Sequence, residues 1–286
     1  MEYIRKMALQ LQKNRSLSEF STFGIGGPIH LFAEVSTIDE MQQAFQINLP
    51  KMILGKGSNC LFSDEGFKGL VILNKIDFCR WKESEVSVGA GYSFSLLGAQ
   101  AARKGLSGLE FASGIPATVG GAVWMNAGAN GHETCESLQS VQFFDGMLRE
   151  YKRTELTFGY RSSPFQKMDG VILSATFSLT PDPNARKAQL QIIDYRMKTQ
   201  PLKEKSAGCI FRNPQGASAG ALIEKCGLKG FCVGGAKVSE IHANFIVNHN
   251  LATAKDVKEL IRLVQEKVLE QTGTLLEPEV RMIDAQ

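Results

Sequence analysis

The chain has no run of about 18 apolar residues, so its sequence offers no membrane-spanning helix. Its opening, MEYIRKMALQLQKNRSLSEF, alternates charge with apolar residues and lacks the unbroken apolar segment of a secretory signal. A protein that stays in the cytoplasm is expected. There is no Lys/Arg tract and no basic stretch interleaved with aromatics, and the net charge of +3 comes from 32 basic and 29 acidic residues spread along the chain. Nucleic-acid and membrane-surface binding therefore have no footprint, although a local basic pocket for a phosphorylated ligand is compatible with that balance. No C-x-x-C pair or neighbouring histidine pattern groups the six cysteines, Cys60, Cys79, Cys135, Cys209, Cys226 and Cys232. That argues against a metal site and against a disulfide framework, and for reduced thiols that serve mostly as small core residues. Internal repeats, low-complexity tracts and long linkers are also missing.

What is present is an ordinary globular composition over 286 residues, enough for a substantial core and, on length, two domains. The N-terminal part alternates short apolar strands (HLFAEV, KMILG, GLVILNKI, SEVSVGAG, and SVQFFDGMLREY folded at Asp145-Gly146) with helices, an α+β pattern. STIDEMQQAF opens with Thr37 and Glu40 at capping-box spacing, and SFSLLGAQAARKG stops at Gly105. PDPNARKAQLQIIDYRMKTQP predicts a boundary helix with Asp182 as N-cap and Pro183 in the first turn. Beyond it a smaller α+β unit is expected: a strand around CIFRNP, a helix SAGALIEKCG, a strand NFIVN, and a final helix burying Val257, Leu260, Ile261, Val264, Val268 and Leu269. LLEPEVRMI closes it as a strand. The expected boundaries are 1–198, 199–275 and a C-terminal strand over 276–286.

Two glycine-rich stretches carry the chemistry. In ILGKGSNCLFSDEG a strand ends at Gly55, and Lys56, Gly57, Ser58 and Asn59 form a turn whose backbone N–H groups can converge on a pyrophosphate. The third glycine and the helix of a Rossmann site are missing, and a plain tight turn is the alternative. SGIPATVGGAVWMNAGANG, Ser113 to Gly131, contains no Lys, Arg, Asp or Glu. Its glycines would weaken a regular element, so it is expected as a long loop approaching something flat and bulky. A flavin fits, with Thr118 and Asn126 as polar contacts; the alternative is a loop packed on the core.

These two stretches, with STFGIGGP, YRSSPF, SAGCIFRNP, GGAKVSEIHANFIVN and LEPEVRMI in that order, resemble the UDP-N-acetylenolpyruvoylglucosamine reductases, bacterial flavoenzymes of peptidoglycan precursor synthesis. The compact length and HANFIVN resemble the family's shorter class, which lacks an insertion in the substrate domain. The resemblance implies an FAD-binding domain of the vanillyl-alcohol-oxidase type, a smaller substrate domain and NADPH as reductant. The substrate would be a UDP-sugar enolpyruvyl ether reduced to UDP-N-acetylmuramate, without an obligate protein partner. It implies FAD contacts from Gly55, Lys56, Gly57, Ser58 and Asn59, and from Gly114, Ile115, Thr118, Gly120, Gly121, Asn126, Gly128 and Ala129.

Hydride addition to the vinyl carbon leaves an enolate that must be stabilised and then protonated. By the same resemblance Arg161 and Glu279 stabilise it, and Cys209 is the proton donor where many members carry serine. A thiol, with a pKa of about 8.5, yields a proton more readily than an alcohol and is open to oxidation. Tyr160 and Asn213 match substrate contacts, and Lys198, Lys205 and His242 are further candidates for the diphosphate or for NADPH. Taken alone, Glu279 reads as a solvated charge on a strand shared with Glu277, Arg161 as a rim arginine, and His242 as hydrogen-bonded structure. Two other functions are weighed: an FAD-dependent oxidase of a small hydroxy acid or alcohol, and a non-enzymatic nucleotide-binding scaffold.

Overall fold

The structure, a computed structural model, describes residues 9–285; the first eight residues, on which part of the export expectation rests, lie outside the described residues. Compactness divides the chain differently from the sequence boundaries. One unit comprises the described residues up to Lys13, Leu31–Gly55 and Gly69–Ile193. The other comprises Asn14–His30, Lys56–Lys68 and everything from Asp194 onward. Two early segments thus belong with the C-terminal part. For Lys56–Lys68 the cause is pairing over long sequence separation: the strand Cys60–Phe62 runs parallel to Arg281–Ile283, with Arg281 opposite Cys60 and Ile283 opposite Phe62.

The first unit is built on a five-stranded antiparallel sheet in the order Leu148–Lys152, Leu138–Phe144, Val171–Ser178, Glu85–Gly89, Cys79–Lys82. The helix Phe94–Arg103 is capped by Ser93 and ends before Gly105 in the left-handed region, as its sequence predicts. It buries Phe94, Leu97 and Ala101 in a core with Phe111, Val119, Val141, Phe165 and Phe177. A second core lies around the parallel pair of Lys51–Leu54 with residues 70–73, covered by the helix Ile38–Gln46 and its Thr37/Glu40 capping box.

In the second unit four strands lie in the order Ser206–Cys209, Phe245–Asn248, Ala236–Val238, Cys232–Val233. The helix Ala254–Thr272 buries Val257, Leu260, Ile261, Val264 and Val268 against Ile246, Val238, Ile223, Phe211 and Val280. Each such side chain contributes about 1.5–3 kcal/mol. Leu269, expected on that face, is 45% exposed, because the face has turned past the core by the last helical turn.

Four expectations change. The glycine-dense stretch is not one loop: Val119–Met125 is a helix, N-capped by Thr118 and closed by Asn126 at φ 45°. A side chain at Gly120 would meet the Ala90 Cβ at 2.9 Å, so glycine there serves close packing. The boundary helix starts at Ala185, with the Asp182 carboxylate accepting from the Asn184 N–H at 2.8 Å. The strand expected over CIFRNP is Ser206–Cys209 instead, because the chain switches partners after Cys209. Finally, the closing strand is only Arg281–Ile283, so Glu279 precedes it rather than lying on it. Residues 277–280 lean on the Ile210–Arg212 segment, through Arg212 N–H to Glu277 O (2.9 Å) and Glu279 N–H to Ile210 O (2.7 Å), before the chain moves to Cys60–Phe62.

Candidate active site

In the first unit the arginine of YRSSPF sits in a four-residue turn. Gly159 and Ser162 exchange both backbone hydrogen bonds (3.0 and 2.9 Å), leaving Tyr160 and Arg161 at the tip. Arg161 has φ 54°, a conformation that costs an L-residue about 1–2 kcal/mol. Such strain persists only where the surroundings over-determine it. Here Arg161 donates from Nη2 to the Gly128 carbonyl at 2.8 Å, and its guanidinium lies 4.7 Å from the centroid of the half-exposed Tyr160 ring.

The turn is fastened to the end of the glycine-dense helix. Ser163 Oγ donates to the Trp124 carbonyl at 2.7 Å, and the Gln166 amide donates to both Trp124 O (3.0 Å) and Arg161 O (3.1 Å). Asn126, fully buried, donates to Gly159 O (2.9 Å) and to Glu133 (2.7 Å) while accepting from Cys135 N–H (3.0 Å). Its side chain, expected to meet a cofactor, is wholly engaged in joining the turn to the glycine stretch. Thr118 spends its hydroxyl as acceptor for Gly121 N–H, and a side chain on Gly55 would strike that hydroxyl at 2.3 Å. Ser113, at the start of the stretch, keeps a buried hydroxyl with no protein partner. A bound polar group is what such a hydroxyl lacks, so the stretch fits a cofactor that brings one.

In the second unit Cys209 ends its strand one residue beyond an irregularity. Ser206 pairs with Val247 and Cys209 with Phe245, so the cysteine strand carries one extra residue, accommodated by Gly208 at φ 78°. A bulge of this kind re-aims the next side chain. The following residue, Ile210, accepts the Glu279 N–H, which puts the thiol and the carboxylate on adjoining segments. Asn59 of the first glycine-rich turn donates from Nδ2 to Glu279 O at 3.3 Å and accepts from Arg281 N–H at 2.9 Å. Gly57, at φ 56°, would place a Cβ 2.1 Å from Phe20 O, so that turn is held against Phe20.

Asn244, which the sequence did not single out, organises this region. Nearly inaccessible, it accepts from Phe211 N–H at 2.9 Å and donates to Phe211 O at 2.8 Å, and its own carbonyl takes Ile210 N–H at 2.8 Å. Asn244→Ala leaves two buried backbone groups unsatisfied, and we expect a loss of about 2–4 kcal/mol in urea unfolding. Asn213 accepts from Ala219 N–H (3.0 Å), supporting the Ser218-capped helix Ala219–Lys225. Lys198 pairs with Asp194 at 2.7 Å in an exposed setting, and Lys205 packs along Gly24.

His242 is structural in this arrangement. Its Nδ1 accepts from Asn244 N–H at 3.2 Å, and burial holds its pKa below the ordinary value. The folded chain therefore binds a proton there less readily than the unfolded chain. This contribution is complete above the unfolded pKa of about 6.5 and is lost as the pH falls toward the folded value. In urea titrations across that window, His242→Asn should show a flatter decline of stability on acidification than the wild type.

The family comparison defines a flavin-binding class. Residues 30–147 match the family described as FAD binding domain. Residues 200–283 match that described as UDP-N-acetylenolpyruvoylglucosamine reductase, C-terminal domain. The UDP-N-acetylenolpyruvoylglucosamine reductase of Protochlamydia amoebophila is 58% identical over 97% of this chain and 95% of its own length, and that of Chlamydia muridarum 50% over 96% and 95%. The crystal structure of the Thermus caldophilus UDP-N-acetylenolpyruvylglucosamine reductase superposes with a TM-score of 0.83 at 41% identity, covering 97% of this chain and 99% of that one. The chain belongs to the UDP-N-acetylenolpyruvoylglucosamine reductase family: an oxidoreductase of α+β fold with an FAD-binding domain. Membership decides against the oxidase and scaffold alternatives. No helix among the described residues is long and apolar enough to cross a membrane.

Proposed function

We propose that this protein uses NADPH and FAD to reduce UDP-N-acetylglucosamine enolpyruvate to UDP-N-acetylmuramate in the bacterial cytoplasm. The observation that carries the assignment of roles is the bond from Glu279 N–H to Ile210 O, which sets the glutamate beside the residue after Cys209. FAD, when bound, supplies a hydride that originates on NADPH. It would be held by Gly55, Lys56, Gly57, Ser58 and Asn59 and by Gly114, Ile115, Thr118, Gly120, Gly121, Gly128 and Ala129, with Asn126 bracing the second set from within.

Arg161 clamps the substrate carboxylate through its planar fork and holds the charge that develops as the enolate forms. Its fixed backbone and the Gly128 bond keep the guanidinium oriented before substrate arrives, which is where electrostatic stabilisation gains its effect. Glu279 stabilises the enolate together with Arg161, and Cys209 delivers the proton. Tyr160, Asn213, Lys198 and Lys205 serve the UDP-sugar or NADPH. Purified protein with bound FAD should oxidise NADPH in step with formation of UDP-N-acetylmuramate by mass spectrometry. NADPH oxidation that proceeds only with oxygen, without that product, would sink the assignment.

A further inference from the structure

Just past the arginine turn, Pro164–Gln166 form a single 3₁₀ turn opened by Pro164. Its middle residue, Phe165, is buried against Phe143 (ring centroids 5.4 Å apart) and Tyr151 (6.2 Å). A proline with fixed φ and a phenylalanine anchored in the core leave the next residue little freedom. Gln166 reaches back over the turn, where its Nε2 donates to Arg161 O at 3.1 Å and to Trp124 O at 3.0 Å. The amide has two N–H donors, one for each carbonyl.

Those bonds bear on a strained residue. Arg161 holds φ 54°, and the peptide that follows it is fixed at both ends: Ser162 N–H donates to Gly159 O at 2.9 Å, and Arg161 O takes the Gln166 amide. A residue other than glycine stays in the left-handed region only while its surroundings hold it there. Removing the amide releases one end of that peptide. The backbone then eases toward negative φ and swings the guanidinium off the Gly128 carbonyl that it meets at 2.8 Å. We propose that Gln166 is a positioning residue for the reduction, its amide keeping the Arg161 fork aimed at the substrate carboxylate. The inference rests on Arg161 being a group that stabilises the enolate.

The neighbouring bonds do a different job. Ser163 Oγ is spent on Trp124 O at 2.7 Å, and the Asn126 amide holds Gly159 O at 2.9 Å, two residues before the arginine. Both fasten the turn as a whole to the end of the helix Val119–Met125. Gln166 joins that helix end to the arginine's own carbonyl. The stretch assigned to the flavin and the side chain assigned to the substrate carboxylate are thereby kept at a set separation within one compact unit. Separation of that kind decides rate more than binding, because the reacting atoms must meet within a fraction of an ångström of the productive geometry.

The test is a double-mutant cycle in the full-length, FAD-loaded protein, read by anaerobic stopped flow. Gln166→Met keeps the volume and removes both donors. We expect it to slow flavin recovery on adding UDP-N-acetylglucosamine enolpyruvate by about tenfold, with bleaching by NADPH unchanged. Gln166→Lys, whose ammonium offers three donors, should come back to within about threefold of the wild type. In an Arg161→Ala background the same Gln166→Met change should cost less than about twofold, since its effect passes through the arginine. Should Gln166→Met fail to hold FAD, Gln166→Asn, which keeps the amide but falls one methylene short, carries the same measurement. Recovery at the wild-type rate, or the full tenfold loss repeated without the arginine, overturns the proposal; so does a loss shared equally by bleaching and recovery, the mark of a purely structural role. Wild-type recovery by Arg161→Ala itself would instead remove the enolate role beneath it, while the effect of Gln166→Met stood as measured.

Discussion

Cys209→Ala retains bleaching of the visible flavin absorbance by NADPH but slows its recovery on adding the enolpyruvyl substrate by about 10²–10⁴-fold, the span of a lost general acid. The two half-reactions separate under anaerobic stopped flow, so a binding defect and a proton-transfer defect are told apart. Cys209→Ser, which restores an O–H, keeps substantial turnover. Its hydroxyl is the poorer acid, but it is smaller and a better hydrogen-bonding group than the thiol. Recovery in the alanine variant at the wild-type rate would take the proton-donor role away from this residue. The thiol also predicts a difference between the two active forms: mild peroxide inactivates the wild type and spares Cys209→Ser.

Loss of Arg161 has the second large effect. Arg161→Ala lowers substrate-dependent recovery by about 10²–10³-fold, as expected for removal of a preorganised charge from the developing enolate. Arg161→Lys recovers little of it, because an ammonium cannot reproduce a planar fork. The stability of these variants follows a different order. At φ 54° glycine is free of the penalty alanine meets, so Arg161→Gly should be more stable than Arg161→Ala by about 1 kcal/mol in chemical unfolding, with turnover equally poor. Equal stabilities would mean that the turn relaxes when the side chain is removed. Retention of FAD by all three variants is part of the expectation; its loss would make Arg161 a support of the cofactor domain instead.

Much of the fold was legible because local chemistry and final structure agree. Thr37 with Glu40, and Gly105, mark helix ends where the structure has them. The glycine-dense stretch misled for a physical reason. Gly120 and Gly121 weaken a helix on propensity, but tight contact with Ala90 and caps at Thr118 and Asn126 outweigh that cost over seven residues. Of the site, the residue types could be read but not the supports. Nothing in the pattern around Asn244 or Gln166 announces an amide bonded to backbone 33 or 42 residues away, since such bonds leave no periodic trace. The bulge before Cys209 did leave a trace in SAGC: Gly208 takes a positive φ one residue ahead of the thiol. The split of the units was hidden most deeply, because it depends on Cys60–Phe62 pairing with a strand at the far end of the chain.

That parallel pair also sets where the molecule can change in length. Arg281, Met282 and Ile283 stand opposite Cys60, Leu61 and Phe62, while Asn59 holds the Glu279 carbonyl just ahead of them. One residue inserted between Asn59 and Phe62 would turn the fully buried Leu61 outward and shift the glutamate's anchor by a step. Deletion there would do the same in the opposite sense. The tip at Gly146 and the turn at Gly131, with open space around them, carry no such constraint. Peptide tags or barcodes inserted at those two tips should leave a working protein, and a library of single-residue insertions should be depleted across 59–62 and 279–283.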